Sequence, residues 1–238
     1  MINVRHLYKS FNGQLVLDDI NLKIEAGELV VILGESGSGK SVLLQHLIGL
    51  LKPDRGAIEI EGVDITRMQD KQLLGIRKKI GYLFQEGALY DFMTVLENVA
   101  FPLSEHTSLK SKEIKQKVEE LLKTVGLEKA ANKYPSELSG GMKKRAALAR
   151  AVILGEKILL CDEPTSGLDP IKSKEICDLI KSIVSQLKST TVVTSHDIEN
   201  SFRIADRIIL IRGGKIVAQG APETIKASED AFVHEFLA

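Results

Sequence analysis

The stretch Gly34-Glu35-Ser36-Gly37-Ser38-Gly39-Lys40-Ser41 limits what this chain can fold into more than any other. It follows the apolar run Leu29–Leu33 and precedes the apolar segment Val42 to Leu51. That order is a buried strand, a glycine-rich turn and a helix, the context that G-x-x-x-x-G-K-[ST] requires. Without a Cβ, the glycines let successive backbone N–H groups turn inward as an anion nest. The helix behind the turn adds unpaired N–H groups and a partial positive charge. Lys40 would place a point charge on β- and γ-phosphates, and the Ser41 hydroxyl could ligate Mg²⁺. The stretch implies a nucleotide-phosphate site.

Composition narrows the partners. Lys plus Arg and Asp plus Glu balance at 32 each, so net charge gives no basis for broad nucleic-acid or membrane-surface binding. The same balance leaves little colloidal repulsion between isolated subunits. The longest apolar stretches fall well short of the ~20 residues a membrane helix needs. The N-terminus shows no signal-peptide pattern. Cys161 and Cys177 fall inside an expected strand and an expected helix, which suits reduced, buried thiols of a cytosolic protein.

Along the chain, residues 2–8 and 14–24 read as strands around the turn at Phe11-Asn12-Gly13, forming an N-terminal antiparallel β subdomain. Residues 40–51 read as a helix stopped by Pro53, and 57–61 and 80–84 as strands. Thr94-Val95-Leu96-Glu97 fits a capping box. Ser111 starts a helix whose apolar positions Ile114, Val118, Leu121, Leu122 and Val125 recur at helical spacing, with Gly126 as its stop. Ser139 caps a helix over about 140–154, and Asp169-Pro170 opens another. Residues 157–161 and 190–194 read as buried strands, 207–212 and 215–219 as a hairpin on Gly213-Gly214, and 221–227 and 230–237 as short helices. Alternating strands and helices predict a mostly parallel sheet in an α/β core. The expected division is one domain over 1–238: a core of 1–85 and 156–238, with a helical subdomain inserted over about 86–155.

Two further constellations carry chemistry. Ile158–Cys161 is an apolar strand ending in Asp162 and Glu163, unfavourable unless that end faces a cation or a catalytic task. In a phosphate-loop protein it lies beside the loop at the carboxyl edge of the sheet. Asp162 would then hold Mg²⁺ through its water shell, and Glu163 would orient and deprotonate an attacking water. The other is Ser139-Gly140-Gly141 at a helix start, which reads either as a plain cap or as a second anion site. Lys143, Lys144 and Arg145 on that helix read as its solvated face.

Together, Gly34–Ser41, Gln85, Leu138-Ser139-Gly140-Gly141-Met142, Ile158–Pro164, Ser166–Asp169 and His196 resemble the full motif set of ABC-type ATP-binding subunits. The resemblance implies a P-loop NTPase core, ATP and Mg²⁺ as ligands, and a head-to-tail dimer sandwiching two ATP molecules. Each nucleotide would touch Gly34–Ser41 of one copy and Ser139, Gly140 and Gly141 of the other. It places Gln85 on Mg²⁺ and the attacking water, His196 on the γ-phosphate, and Asp169 as a bridge to the partner copy besides its capping role. Phe11 stands where the family has an adenine-stacking aromatic, more often Tyr, and a packed hairpin aromatic is the competing reading.

One phosphate loop, no sustained heptads between Ser41 and Ser139, and no basic excess favour a transporter subunit over soluble nucleic-acid machines. The run from Gln85 to Thr107 is similar to the Mla-type ATPases, which energise phospholipid transport with Mce-domain proteins. The resemblance implies an integral membrane permease docking near Leu89–Met93, a probable Mce-domain substrate-binding protein, and a place on the cytoplasmic face of the bacterial inner membrane. An exporter of other hydrophobic cargo or an FtsE-like ATPase is the alternative. The C-terminal tail by which some Mla-type ATPases grip their partner finds no counterpart before Ala238, which would leave pairing more dependent on ATP and permease.

Overall fold

Three strands are buried at every residue: β3 (Leu29–Gly34), β7 (Ile158–Asp162) and β8 (Thr190–Ser195). Strands that are covered on both faces form the middle of a parallel sheet, whereas half-exposed strands alternate. In this computed structural model, which describes residues 1–237, they lie at the centre of a six-stranded sheet. Ala238, the end of the sequence, lies outside the described residues.

The chain begins with β1 (Ile2–Phe11) and β2 (Gln14–Ile24), an antiparallel pair, followed by β3 and then α1 (Lys40–Leu47). Next come β4 (Arg55–Ile60), β5 (Val63–Asp64), α2 (Asp70–Arg77) and β6 (Ile80–Leu83). Three helices follow, α3 (Val95–His106), α4 (Ser111–Thr124) and α5 (Gly140–Val152). The chain then returns through β7, α6 (Pro170–Leu187), β8, α7 (Ile198–Ile204), β9 (Arg207–Arg212), β10 (Lys215–Gly220), α8 (Pro222–Lys226) and α9 (Ala231–Leu237). The four-stranded sheet runs β2-β1-β4-β5 and the six-stranded sheet β10-β9-β3-β8-β7-β6. Every pairing from β9 to β6 is parallel, and only the β9–β10 hairpin is antiparallel. This is the α/β architecture expected from the sequence.

Successive strand residues face opposite sides, and each side has its own core. Val30, Ile32, Leu160, Val192 and Ile209 pack with α1 and the antiparallel sheet. Val31, Leu33, Leu159, Cys161 and Val193 pack with α3, α4, α5 and α6 through Val95, Val99, Val118, Leu122 and Ile180. Cys161 and Cys177 are both buried and unbridged. Among the described residues, no helix is long and apolar enough to cross a membrane.

The caps read from the sequence are present. Thr94 and Glu97 form a reciprocal capping box, Ser139 accepts from the Met142 N–H, and Asp169 accepts from the Lys172 N–H ahead of Pro170. The helix after the phosphate loop stops at Leu47, sooner than Pro53 suggests, because Gly49 turns the chain at φ +67°. The helices α2 and α7 were not expected. Each buries only two or three side chains, too few to set a visible period.

Candidate nucleotide site and docking groove

The loop Gly34–Ser41 leaves β3 at the carboxyl edge of the sheet and enters α1. Gly39 is the residue before the helix, at φ +99°, and Gly37 stands at φ +79°. A Cβ on Gly39 would sit 2.8 Å from Leu17 Cδ2 and 2.9 Å from the Val16 carbonyl. Only glycine fits this conformation and this space. Lys40 is buried, with Nζ donating to the carbonyls of Gly34 at 2.8 Å and Glu35 at 3.0 Å.

The loop forms one wall of a cleft of about 480 Å³, closed by Val16, Gln85, Glu163 and His196. Parallel strand order brings these parts together. Gly34 ends β3, His196 follows β8, Asp162 ends β7 with Glu163 just after it, and Gln85 follows β6. The Ser41 hydroxyl and the Thr194 hydroxyl both donate to Asp162 Oδ1 at 2.8 Å. Tyr82 approaches the other oxygen at 3.4 Å, and burial, reinforced by that carboxylate, pushes the phenol well above its ordinary range. Glu163 is 8% exposed. One of its carboxylate oxygens lies 3.4 Å from Lys40 Nζ, and the other accepts from His196 Nδ1 at 2.8 Å. Gln85 Nε2 donates to the Ser166 hydroxyl at 3.3 Å.

The chemistry of these residues suits a nucleoside triphosphate with a hard cation. The Ser38 hydroxyl is buried without a hydrogen-bond partner, in a glycine-rich loop that lines the cleft with Lys40. Ser41, Asp162 and Gln85 offer oxygen ligands, the donor set that Mg²⁺ takes. Among the described residues, no cluster of three or more His, Cys, Asp and Glu side chains could hold a metal by itself. An ion here would therefore share its coordination with phosphate oxygens.

Other residues singled out in the sequence lie away from the cleft. Phe11, at the end of β1, is 40% exposed and lines no part of it; Val16 does. Ser139 and Gly140 are exposed at the start of α5, and Asp169 is exposed at the start of α6, where Lys172 pairs with it at 2.7 Å. Lys144 is not on a solvated face. It is buried, and its ammonium donates to the main-chain carbonyls of Gln85 and Glu163. Arg145 likewise turns inward, to the Val125 carbonyl, and pairs with Glu175. Thr194, Tyr82 and Val16 escaped the sequence reading, and Lys144 was read there as solvated. None stands in a pattern that separates it from an ordinary strand or helix residue.

The segment after Gln85 borders a second, apolar depression of about 500 Å³ lined by Tyr82, Phe84, Tyr90, Phe101, Arg150 and Glu156, among others. The buried Asn98 builds its rim. Its amide accepts from the Tyr90 N–H and donates to the carbonyls of Tyr90, Met93 and Thr94. Arg150 donates to the carbonyls of Gly87 and Ala88 and stacks over the Tyr90 ring at 5.7 Å. This pinned turn holds Phe92 out, 75% exposed, while Leu89 and Met93 are half-buried.

A phosphate cradle after β3 and two carboxylates at the end of β7, one strand away across β8, define a class. The chain belongs to the ABC transporter family, whose ATP-binding domain matches residues 17–166, and it is the ATPase subunit of such a transporter. It is 44% identical over 236 residues to the "probable ribonucleotide transport ATP-binding protein" Mkl of Mycobacterium leprae, covering 99% of this chain and 68% of that protein. It is 42% identical over 237 residues to the "intermembrane phospholipid transport system ATP-binding protein" MlaF of Haemophilus influenzae, covering all of this chain and 90% of that one. The ATP-binding cassette MJ0796, solved as a dimer with ADP and Pi, superposes with a TM-score of 0.87 at 34% identity, over 93% of this chain and 99% of that one.

Proposed function

We propose that this chain hydrolyses ATP, as one half of a head-to-tail pair, to drive phospholipid movement through a membrane permease in the bacterial envelope. The observation that carries the hydrolytic part is Glu163, held between Lys40 and His196 at the mouth of the phosphate loop. Phosphates would lie along the N–H groups of Gly34–Ser41, with Lys40 turned towards them. Glu163 takes the proton of the attacking water, whose oxygen bonds to the γ-phosphorus as the bond from that phosphorus to the bridging oxygen breaks. His196 keeps the carboxylate aimed and would donate to the γ-phosphate. Ser41, Asp162 and Gln85 would hold Mg²⁺, which supplies charge neutralisation on the β- and γ-oxygens.

Pairing is supported by the capped start of α5, where Ser139 and Gly140 are exposed ahead of the buried Gly141, a second anion-grade helix terminus with no phosphate loop of its own. Asp169 fits the edge of that interface. The phospholipid cargo is supported by the match to MlaF over all of this chain and 90% of that protein. The permease is supported by the Tyr90–Phe92 rim and its groove. A Mce-domain partner and a seat on the cytoplasmic face of the inner membrane follow from the same reading. Ribonucleotide transport is the second reading, favoured by the 44% identity to Mkl.

The test is reconstitution of the chain with its co-purifying permease in vesicles holding fluorescent phospholipid on one side. ATP-dependent transfer of lipid to an acceptor supports the reading. ATP-dependent uptake of a labelled ribonucleotide, with no lipid transfer, replaces it with the second.

A further inference from the structure

Lys144 has no part in the hydrolysis described above, yet it is one of the few buried lysines in the chain, 7% exposed in the early part of α5. A buried ammonium is costly unless its hydrogens are taken up. Burial pulls Lys144 below the ordinary lysine range, and the negative charges of Glu86, Glu163 and Asp162 oppose that pull. Its partners are two main-chain carbonyls, those of Gln85 and Glu163, the latter at 3.4 Å. It does not line the nucleotide cleft.

Glu163 explains why such a contact is needed. Its backbone sits at φ +46°, a region that non-glycine residues rarely occupy unless their surroundings hold them there. On one side its N–H donates to the Thr194 carbonyl at 3.2 Å and the Thr194 hydroxyl at 3.1 Å. On the other side its carbonyl accepts from the Ser166 N–H at 3.1 Å and from Lys144 at 3.4 Å. The strained residue is therefore clamped between β8 and α5. The same ammonium fixes the backbone from which the Gln85 side chain projects.

We propose that Lys144 is a positioning residue that sets the backbones of Glu163 and Gln85 and transmits the position of α5 to both. The N-terminus of that helix carries Ser139, Gly140 and Gly141, the group that would grip the second subunit's nucleotide. Through Lys144, that grip would bear on Glu163 and Gln85 of the same chain. This last step rests on the paired reading given above; the clamp on Glu163 does not.

The experiment uses the purified full chain with Lys144→Met, which keeps the length and removes the donors, and Lys144→Arg, which keeps donors that reach both carbonyls. Expected for Lys144→Met is a fall in kcat of about tenfold or more with ATP Kd within about threefold of wild type, and loss of cooperativity in ATP. A displacement near 1 Å of a reacting group costs this much without touching ground-state binding. Lys144→Arg recovers turnover to within about threefold of wild type. If Lys144→Met shows no cooperative unfolding transition, Lys144→Gln is judged by the same criteria. Turnover within twofold of wild type, or an equal loss in kcat and in ATP affinity, overturns the proposal. Gel filtration of Glu163→Gln with ATP separates the two layers. If that variant stays monomeric the paired reading falls, while the split between kcat and Kd still judges Lys144.

Discussion

Replacing Glu163 by Gln removes one proton acceptor and disturbs little else. Gln is nearly the same size and tolerates φ +46° no worse than Glu, so the backbone bonds to Thr194 and Lys144 stay in place. The amide oxygen still accepts from His196 Nδ1, now 2.8 Å from the carboxylate. What is lost is the base and the ion pair with Lys40 at 3.4 Å. At an effective dielectric near 20, that pair is worth about 5 kcal/mol of gross Coulomb attraction. Removing one partner of a buried pair costs about 3–5 kcal/mol where the remaining charge is left bare; Lys40 Nζ keeps the carbonyls of Gly34 and Glu35, so the loss of stability falls below that range. The barrier changes more. General-base assistance of ~10²–10⁴-fold corresponds to about 2.7–5.4 kcal/mol. A coupled phosphate-release assay on the purified chain should show kcat lower by that factor. Calorimetry should show ATP bound as tightly as by wild type, and gel filtration with ATP should trap the pair. Turnover within threefold of wild type would refute the assignment of Glu163 as the base, whatever the other readouts.

Gly39→Ala puts a Cβ 2.8 Å from Leu17 at φ +99°, a sum of overpacking and backbone strain of about 2–4 kcal/mol. Thermal unfolding should fall by roughly 5–15 °C and ATP binding should be lost together; an unshifted melt contradicts the packing argument. Burial raises the Glu156 carboxyl to about 7, and one of its oxygens has no hydrogen-bond partner. A carboxyl with a raised native pKa binds more protons folded than unfolded between about pH 4.5 and 7, so its contribution falls as pH rises through that window. Glu156→Gln should therefore gain on wild type towards pH 8, by at most about 3 kcal/mol, and a difference independent of pH in urea melts refutes this. Phe92→Asp, at an exposed tip, should change stability by less than about 0.5 kcal/mol yet release the chain from its permease on co-purification; retained co-purification removes the docking claim.

What the sequence made legible follows from where local and tertiary signals agree. The phosphate loop, the caps at Thr94, Ser139 and Asp169, and the buried strands all declare themselves within a few residues, and all stand as read. Functional residues whose meaning is set by a distant partner did not. Thr194 looks like one more β-branched residue of β8 until β7 brings Asp162 to 2.8 Å from its hydroxyl. Lys144 follows Lys143 and precedes Arg145, so its charge suggested water, whereas the packing of α5 directs it under the Gln85 loop. Phe11 was placed by the family resemblance, before Asn12-Gly13; it is exposed at the end of β1, and Val16 of the same hairpin, which no pattern marked, lines the cleft. The groove near Leu89–Met93 was visible only as an apolar run. Its floor comes from Tyr82, Arg150 and Glu156, which no local pattern connects to it.

The strand order β3-β8-β7-β6 also works as a ruler. Parallel neighbours stand ~4.8 Å apart whatever side chains they carry, because backbone hydrogen bonds set the pitch. Gly34, His196, Glu163 and Gln85 each leave a different strand of that set, so the candidate machinery is graduated over ~15 Å in steps that side-chain volume cannot alter. Exchanges such as Val for Ile within Val30–Ile32 or Val192–Val193 would repack the two cores and leave these intervals as they are. The strands are thus free to drift in sequence, while the residues just beyond their ends are not.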